Sequence, residues 1–213
     1  MKNTTQKIID EFFFEKGKLA FLKDNIVSAI NVLTECAKSG KILVCGNGGS
    51  AADSEHISGE MLKSFRIKRN ISDGLNKQLE LFGETGKYIS NNLEGGIKCI
   101  PLTSFTSAIT AFGNDKKEDL SLSQLVNALG DKGDALIAIS TSGNAKNVYY
   151  AAVTAKAKGI KVIALTGKDG GILKNISDIT IVSPERETYL IQETHLPVYH
   201  LICAAVENEI FGK

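Results

Sequence analysis

The segment CGNGGSAADSEHISGEM, residues 45–61, contains residue types at spacings suited to binding and proton transfer. A glycine cluster and Ser50 stand directly before a predicted helix that carries His56 and Glu60. Helix N-termini bind anions through unpaired N–H groups and a partial positive charge, and glycine lets the backbone approach a ligand closely. The segment therefore predicts an anion-binding loop, in which Ser50 caps the helix and donates its hydroxyl hydrogen.

A second loop of this kind is STSGN, residues 140–144, which lies between an apolar run and another predicted helix. Its hydroxyl and N–H groups are suited to a phosphate monoester. Either loop alone is equally well explained as a turn with a capping residue, because Ser and Asn are preferred N-caps. Two such loops in one sheet favour a phosphorylated ligand. Neither has the G-x-G-x-x-G pattern of dinucleotide sites, and GKDGG, residues 167–171, lacks the Walker pattern.

The three histidines fall in two segments: His56 in the first predicted helix, and His195 and His200 near the C-terminus. His56 and Glu60 are four residues apart, so they share a helix face. With Gln192 and His200 they form a set of nitrogen and oxygen donors that suits Zn²⁺ or a similar ion. The alternative is an exposed His–Glu pair and a structural histidine. His195 lies roughly 140° from His200 around a regular helix and is left out of the predicted site.

Spacing constrains how these donors can meet. Gln192 and His200 are eight residues apart in the sequence. Along an unbroken helix this spacing corresponds to about 12 Å. The two side chains cannot contact one ion from one chain unless the helix kinks at Pro197 or a second subunit supplies one of them. Because a bend shortens the separation only slightly, we predict pockets that take His56 and Glu60 from one chain and His200 from another.

Five short apolar runs bounded by Gly, Asp or Ser indicate strands buried on both faces. Helix-length amphipathic segments separate several of them. This alternation predicts an α/β fold with a doubly wound, mainly five-stranded parallel sheet flanked by helices, whose ligands bind at the carboxyl ends of the strands. The runs are residues 41–46, 97–102, 134–140, 161–167 and 178–183.

The remaining segments predict added helices in a single domain over residues 1–213. Residues 5–38 have the pattern of one or two long amphipathic helices, and residues 187–211 that of another, interrupted by Pro197. Such outer helices often serve oligomerisation. Residues 66–97 are polar and lack a strand pattern, so we predict a helical insertion with two short helices joined at residues 83–86.

The amino-acid composition limits the classes of function that the protein can have. The 213 residues are 43% hydrophobic, and 25 Lys and Arg balance 24 Asp and Glu, so no basic surplus indicates a nucleic-acid or membrane partner. No run reaches the roughly 18 apolar residues of a membrane span. The four cysteines are scattered without C-x-x-C spacing, so we expect reduced core residues of a cytoplasmic protein.

The motifs CGNGGSAADSEHISGE, AFGND, STSGNAKNV, ALTGKDGG and IQETHLPVYH occur in an order that is specific for the sugar isomerase (SIS) fold. Within it the chain resembles the phosphoheptose isomerases, which convert sedoheptulose 7-phosphate to D-glycero-D-manno-heptose 7-phosphate. The resemblance covers most of the chain outside residues 66–97. It implies a homotetramer with sites shared between subunits and a divalent metal, expected to be zinc.

The resemblance also implies roles for individual residues. Sugar contacts are expected from Asn47, Gly48, Gly49, Asn114 and Asp115. Phosphate contacts are expected from Ser140, Thr141 and Ser142, with further substrate contacts from Ser50, Glu60 and Gln192. The metal positions are His56, Glu60, Gln192 and His200, and the acid/base pair is Glu60 and His200.

Ketose to aldose conversion moves a proton between adjacent carbons, which suits these residue types. A carboxylate near a cation is a suitable base, so Glu60 is expected to remove the first proton. A divalent ion near the substrate oxygens would stabilise the enediolate, and His200 would move protons to oxygen or assist ring opening.

Two positions depart from the family pattern: Ser64 stands where an Arg is typical, and Tyr189 where an Asp is frequent. Both predict a remodelled sugar end of the pocket. The alternative function is a non-catalytic SIS tetramer, either a partner of the bacterial replication initiator or a phosphosugar sensor. The complete set of His56, Glu60, Gln192 and His200 favours the enzyme, because a scaffold has no need for all four.

Overall fold

The computed structural model describes residues 1–212, which form a five-stranded, all-parallel sheet flanked by helices on both faces. The strand order is β2-β1-β3-β4-β5, so the winding direction reverses between β1 and β3. The predicted doubly wound sheet is confirmed. The strands are β1 (Ile42–Cys45), β2 (Cys99–Pro101), β3 (Ala135–Ser140), β4 (Lys161–Thr166) and β5 (Ile179–Val182).

Nine α-helices are present in the described chain. They are α1 (Asn3–Glu15), α2 (Lys23–Ser39), α3 (Gly49–Leu62), α4 (Asp73–Glu80), α5 (Gly83–Asn92), α6 (Thr106–Asp115), α7 (Ser121–Leu129), α8 (Lys146–Ala157) and α9 (Thr188–Phe211). Short 3₁₀ segments lie at Gly17–Leu22, Leu102–Ser104, Glu118–Leu120 and Ile172–Asn175. None of these described helices is long and apolar enough to cross a membrane.

Alternate strand residues pack into two cores on opposite faces of the sheet. Val44 and Ile137 point to the face covered by α1, α2, α3 and α9, while Leu43 and Leu136 point to the face covered by α7 and α8. All four are at most 3% exposed, which explains why these strands are continuous apolar runs rather than alternating ones. The four cysteines are free and buried in these cores, as predicted.

The predicted interruption at Pro197 is wrong, because α9 is one continuous helix of 24 residues with Pro197 inside it. Proline removes one backbone hydrogen bond, but α9 packs against α1, α2 and α3 and buries residues along most of its length. Burial of that apolar surface holds the helix together across the proline. The segment 66–97 contains α4 and α5, which meet at Leu81 and Phe82 rather than at residues 83–86.

A buried ion pair joins the segment after α3 to α9. The guanidinium Nε of Arg69 lies 2.7 Å from Oε1 of Glu207, and both side chains are at most 1% exposed. Arg69 also donates to the carbonyl oxygens of Glu60 and Met61 at 2.7 and 2.5 Å. Because these carbonyls lie at the open C-terminal turn of α3, Arg69 caps the helix end that carries Glu60.

Arg69→Met should lower the free energy of unfolding by about 3–5 kcal/mol, since a buried carboxylate then loses its cation. Urea unfolding followed by circular dichroism measures the change. The control is the pair Lys38–Glu35, in which both side chains are exposed. Lys38→Met should barely move the midpoint, because exposed ion pairs contribute little. Equal shifts in the two variants would contradict a buried, stabilising pair.

Candidate functional site

The two predicted anion-binding loops lie side by side at the carboxyl edge of the sheet, at the reversal between β1 and β3. Ligands bind at such points in open parallel sheets. The side-chain amides of Asn47 and Asn147 form a reciprocal pair across the loops, with both N···O distances 2.9 Å. Sequence reasoning did not single out Asn147, because one Asn in a helical pattern gives no signal by itself.

The helices that follow the two loops both begin without a side-chain cap. The N-cap of α3 is Gly48, which has no side chain, and Ser50 is a buried residue inside the helix, so its predicted capping role is wrong. Helix α8 begins at Lys146 with Ala145 as its N-cap, and again no side chain caps it. The amides of Ser50 and Ala51 donate to the carbonyls of Asn47 and Gly48, and that of Val148 donates to Oδ1 of Asn147, so only part of each first turn remains available to an anion.

The hydroxyl loop 140–144 is braced by the loop that follows β4. Gly143 has a positive φ, and a Cβ atom there would overlap the carbonyl oxygen of Gly170, so only glycine fits. The amide of Leu173 donates to the carbonyl of Gly143 at 3.0 Å, and the amide of Ile172 donates to Oδ1 of Asn144 at 3.1 Å. The motif ALTGKDGG therefore supports the hydroxyl loop.

Helices α3 and α9 pack in parallel, and their contacts occur in the same order along both helices. The side-chain amide of Gln192 lies against Gly49, where a Cβ atom would overlap it. About two turns further along, the ring of His200 meets the ring of His56. Gln192 and His200 are therefore at opposite ends of this helix pair.

His56, Glu60 and His200, here called the triad, come together within one chain. Nε2 of His56 lies 3.3 Å from Oε1 of Glu60 and 3.4 Å from Nε2 of His200. The prediction that His200 reaches His56 and Glu60 from another chain is wrong, because a continuous α9 running beside α3 brings His200 to them directly. The same geometry separates Gln192 from the triad by about 12 Å along α9.

Two further residues, which sequence reasoning missed, support the triad from behind. The hydroxyl oxygen of Tyr199 lies 3.0 Å from Nδ1 of His56 and 3.2 Å from Oδ1 of Asp53. Burial raises the pKa of Tyr199, and the Asp53 carboxylate raises it further. Burial also raises the pKa of Asp53, while burial and then the nearby His56 lower the pKa of His200.

The triad fits a metal ion in donor type and partly in spacing. Zinc bonds of about 2.0–2.1 Å give a tetrahedral ligand edge of about 3.3–3.4 Å, which matches both contacts of His56 Nε2. Within residues 1–212, however, no group of three or more His, Cys, Asp and Glu side chains is placed to hold an ion. A complete site therefore needs a side-chain rotation of Glu60 or His200 and another ligand.

Asn114 and Asp115 lie at the exposed end of α6, where they hydrogen-bond to each other at 3.0 Å. Residues shortly after them, Lys117 to Asp119, line a cavity of about 480 Å³ together with Asn147. The sugar contacts expected from Asn114 and Asp115 thus stay a prediction, although their segment borders the Asn47–Asn147 pair.

The other singled-out residues have structural partners or lie at the surface. His195 is buried and donates from Nε2 to the carbonyl of Thr166 at 2.9 Å, which ties α9 to the end of β4. Ser64 accepts from the amide of Arg69 at 3.1 Å, and Tyr189 is exposed at the start of α9.

Comparison with known proteins adds an independent finding. A family model described as the SIS domain matches residues 107–206. The chain is 36% identical to the phosphoheptose isomerase of Clostridium acetobutylicum, over 100% of this chain and 98% of that protein. It is 38% identical to the phosphoheptose isomerase of Aliarcobacter butzleri, over 95% and 97%. The solved structure of a Neisseria gonorrhoeae phosphoheptose isomerase superposes with a TM-score of 0.71 at 35% identity, covering 92% of this chain and 94% of that one.

Gly49→Ala should lower kcat/KM for a ketose phosphate by about 10- to 100-fold, because the new methyl group displaces the Gln192 amide from the loop. Steady-state kinetics measures the effect. Gly74→Ala in α4 is the control, since a Cβ atom there meets nothing within 4 Å, and it should leave kcat/KM unchanged. A fully active Gly49→Ala enzyme would show that the Gly49–Gln192 contact has no role.

Proposed function

The chain belongs to the phosphoheptose isomerase family and is an aldose–ketose isomerase, and we propose how its own residues perform the conversion of sedoheptulose 7-phosphate to D-glycero-D-manno-heptose 7-phosphate. The observation that carries the proposal is the meeting of a carboxylate and two imidazoles in one triad, in a chain that also has two anion-binding loops at its sheet edge. These are the groups that proton transfer between the adjacent carbons of a sugar phosphate requires.

The loops are proposed to bind and orient the substrate. Ser140, Thr141 and Ser142 would hold the phosphate with their hydroxyl groups, assisted by backbone N–H groups at the start of α8. The uncapped start of α3, with Gly48 and Gly49, would contribute in the same way, and Asn47 would contact the sugar. Bracing by the loop after β4 supports this role, because a rigid loop positions a ligand without further ordering cost.

Glu60 is proposed as the base that removes the substrate proton. Its side chain is 15% exposed, and its two oxygens lie 3.3 Å from Nε2 of His56 and 3.4 Å from Nζ of Lys63. Little of the carboxylate is therefore exposed to water, and the ammonium group of Lys63 lies close to it. His200, on the other side of His56, is placed to move a proton to or from a sugar oxygen, because its lowered pKa favours the neutral imidazole.

His56, Glu60 and His200 are proposed to hold a divalent ion, with zinc the best match to these donors. When bound, such an ion supplies electrostatic stabilisation to negative charge that develops on the substrate oxygens. A fourth ligand from Gln192 has to come from another chain, because within one chain Gln192 and His200 lie about 12 Å apart along α9.

We therefore propose a homotetramer in which each pocket combines the triad of one protomer with Gln192 and the anion-binding loops of another. This differs from the division expected from sequence, since Glu60 and His200 now act from the same chain. A cytoplasmic setting without nucleic-acid partners stays our expectation from the free, buried cysteines and the balanced charge. The alternative of a non-catalytic regulator gains no support from the triad, which such a protein does not need.

Glu60→Gln should lower kcat by at least about 10²-fold while the affinity for the sugar phosphate changes little, because the amide keeps the shape but cannot accept the proton. Turnover is followed by NMR of the aldose product. Glu55→Gln on the same helix is the control, since Glu55 is exposed and bonds only to Ser104 outside the triad. Undiminished turnover in Glu60→Gln would refute its role as the base.

Mixed tetramers test the proposed division of the pocket. Inactive Glu60→Gln and inactive Gln192→Ala proteins, denatured and refolded together, should recover part of the activity, because some pockets receive an intact triad and an intact Gln192. Glu60→Gln mixed with His200→Ala should recover none, because every triad then has one defect. Mass spectrometry verifies mixing. Recovery in the second mixture alone would overturn this division in favour of Glu60 and His200 from different chains.

A further inference from the structure

The hydroxyl group of Tyr199 lies between two possible acceptors on α3. Its oxygen is 3.2 Å from Oδ1 of Asp53 and 3.0 Å from Nδ1 of His56. A phenol has one hydrogen to donate, so it donates to one of these atoms only. The acceptor of this hydrogen bond determines which ring nitrogen of His56 carries the hydrogen.

Asp53 has no other donor for its carboxylate among the described residues. Its Oδ2 atom is buried and without a hydrogen-bond partner, and Oδ1 has the Tyr199 hydroxyl alone. An ionised carboxylate accepts hydrogen bonds and donates none, and a buried one without any donor is strongly disfavoured. The Tyr199 hydrogen therefore points to Asp53.

With its hydrogen on Asp53, the Tyr199 oxygen accepts from His56. Nδ1 of His56 must then be the protonated nitrogen, and Nε2 of the neutral ring has a free lone pair. That lone pair faces Oε1 of Glu60 at 3.3 Å and Nε2 of His200 at 3.4 Å. Both distances are longer than ordinary hydrogen bonds. Such spacing is expected when the lone pairs of these atoms point to a common bound group rather than to each other.

We propose that Tyr199, oriented by Asp53, is a positioning residue that holds His56 in the Nδ1–H tautomer and so presents the Nε2 lone pair to whatever the triad binds. The nitrogen that a histidine offers is set by the hydrogen bond of its other nitrogen. The use of that lone pair for a metal ion rests on the proposed function, whereas the tautomer itself does not.

The tautomer is measured directly by ¹⁵N NMR of the full-length protein with ¹⁵N-labelled histidine, before and after chelator treatment. The chain has three histidines, so His56 is assigned by its absence in His56→Asn. At about pH 8, above the ordinary histidine pKa of about 6.5, neutral rings dominate. The wild-type protein should show a protonated Nδ1 and an unprotonated Nε2 at His56.

Three substitutions separate the proposal from a general structural effect. Tyr199→Phe should leave a mixture of the two tautomers, because neither nitrogen is held. Asp53→Leu should reverse the tautomer, because the Tyr199 hydroxyl then donates to Nδ1. Asp53→Asn should preserve it, because the amide oxygen still accepts from Tyr199. Tyr150→Phe on α8, away from the triad, is the control and should leave the His56 spectrum unchanged.

Zinc affinity measured by calorimetry gives a second readout, and Tyr199→Phe should weaken binding by about 10- to 100-fold. An Nε2–H tautomer of His56 in the wild type would overturn the proposal. So would a His56 tautomer that stays as in the wild type in both Tyr199→Phe and Asp53→Leu. A correct tautomer response without any zinc binding would leave the positioning role intact and count against the proposed metal. A folded Asp53→Asn protein with reversed tautomer would also overturn it.

Discussion

The parallel packing of α3 against α9 determines where every candidate chemical group lies. Residues of α9 meet α3 residues about 144 positions earlier, as the pairs Asp53 with Tyr199 and His56 with His200 demonstrate. Both helices rise about 1.5 Å per residue, so this offset stays constant along their contact. The helix pair therefore has an anion-binding end near the sheet edge and a proton-transfer end near the triad.

The two ends of α3 differ in how their backbone groups are hydrogen-bonded, and each end suits its role in binding or proton transfer. At its start, Gly48 leaves the N–H groups without a side-chain cap, which suits an anion. At its end, the buried Arg69 guanidinium occupies the carbonyl oxygens and is itself paired with Glu207 on α9. The binding end is thus open to a ligand, while the end with Glu60 is fixed to the neighbouring helix.

Local patterns in the sequence predict the sheet and the loops well, because they follow from burial and from short-range backbone geometry. The five apolar runs became five parallel strands, and STSGN and GNGGS both follow strands at the carboxyl edge. The prediction that Ser50 caps α3 was wrong because Gly48, two residues earlier, is the N-cap. The predicted break at Pro197 was wrong because the local cost of proline in a helix is smaller than the stabilisation from burying α9 against three helices.

The members of the triad were predicted, but their meeting within one chain was not, because it depends on the register between helices far apart in the sequence. The sequence spacing of Gln192 and His200 correctly predicts that they lie about 12 Å apart along a helix. It does not reveal which of the two contacts His56. Tyr199 and Asp53 gave no signal for the same reason, since their contacts with each other and with His56 require the fold. Tyr199 in an apolar helix has the pattern of an ordinary core residue.

The most direct test of this account is a crystal structure of the protein with added zinc, with anomalous diffraction measured at the zinc absorption edge. One peak per protomer is expected, at about 2.0–2.2 Å from His56, Glu60 and His200 of a single chain, with Gln192 supplied by a neighbouring chain. A peak that joins His56 of one chain to His200 of another, or no peak at saturating zinc, would contradict it.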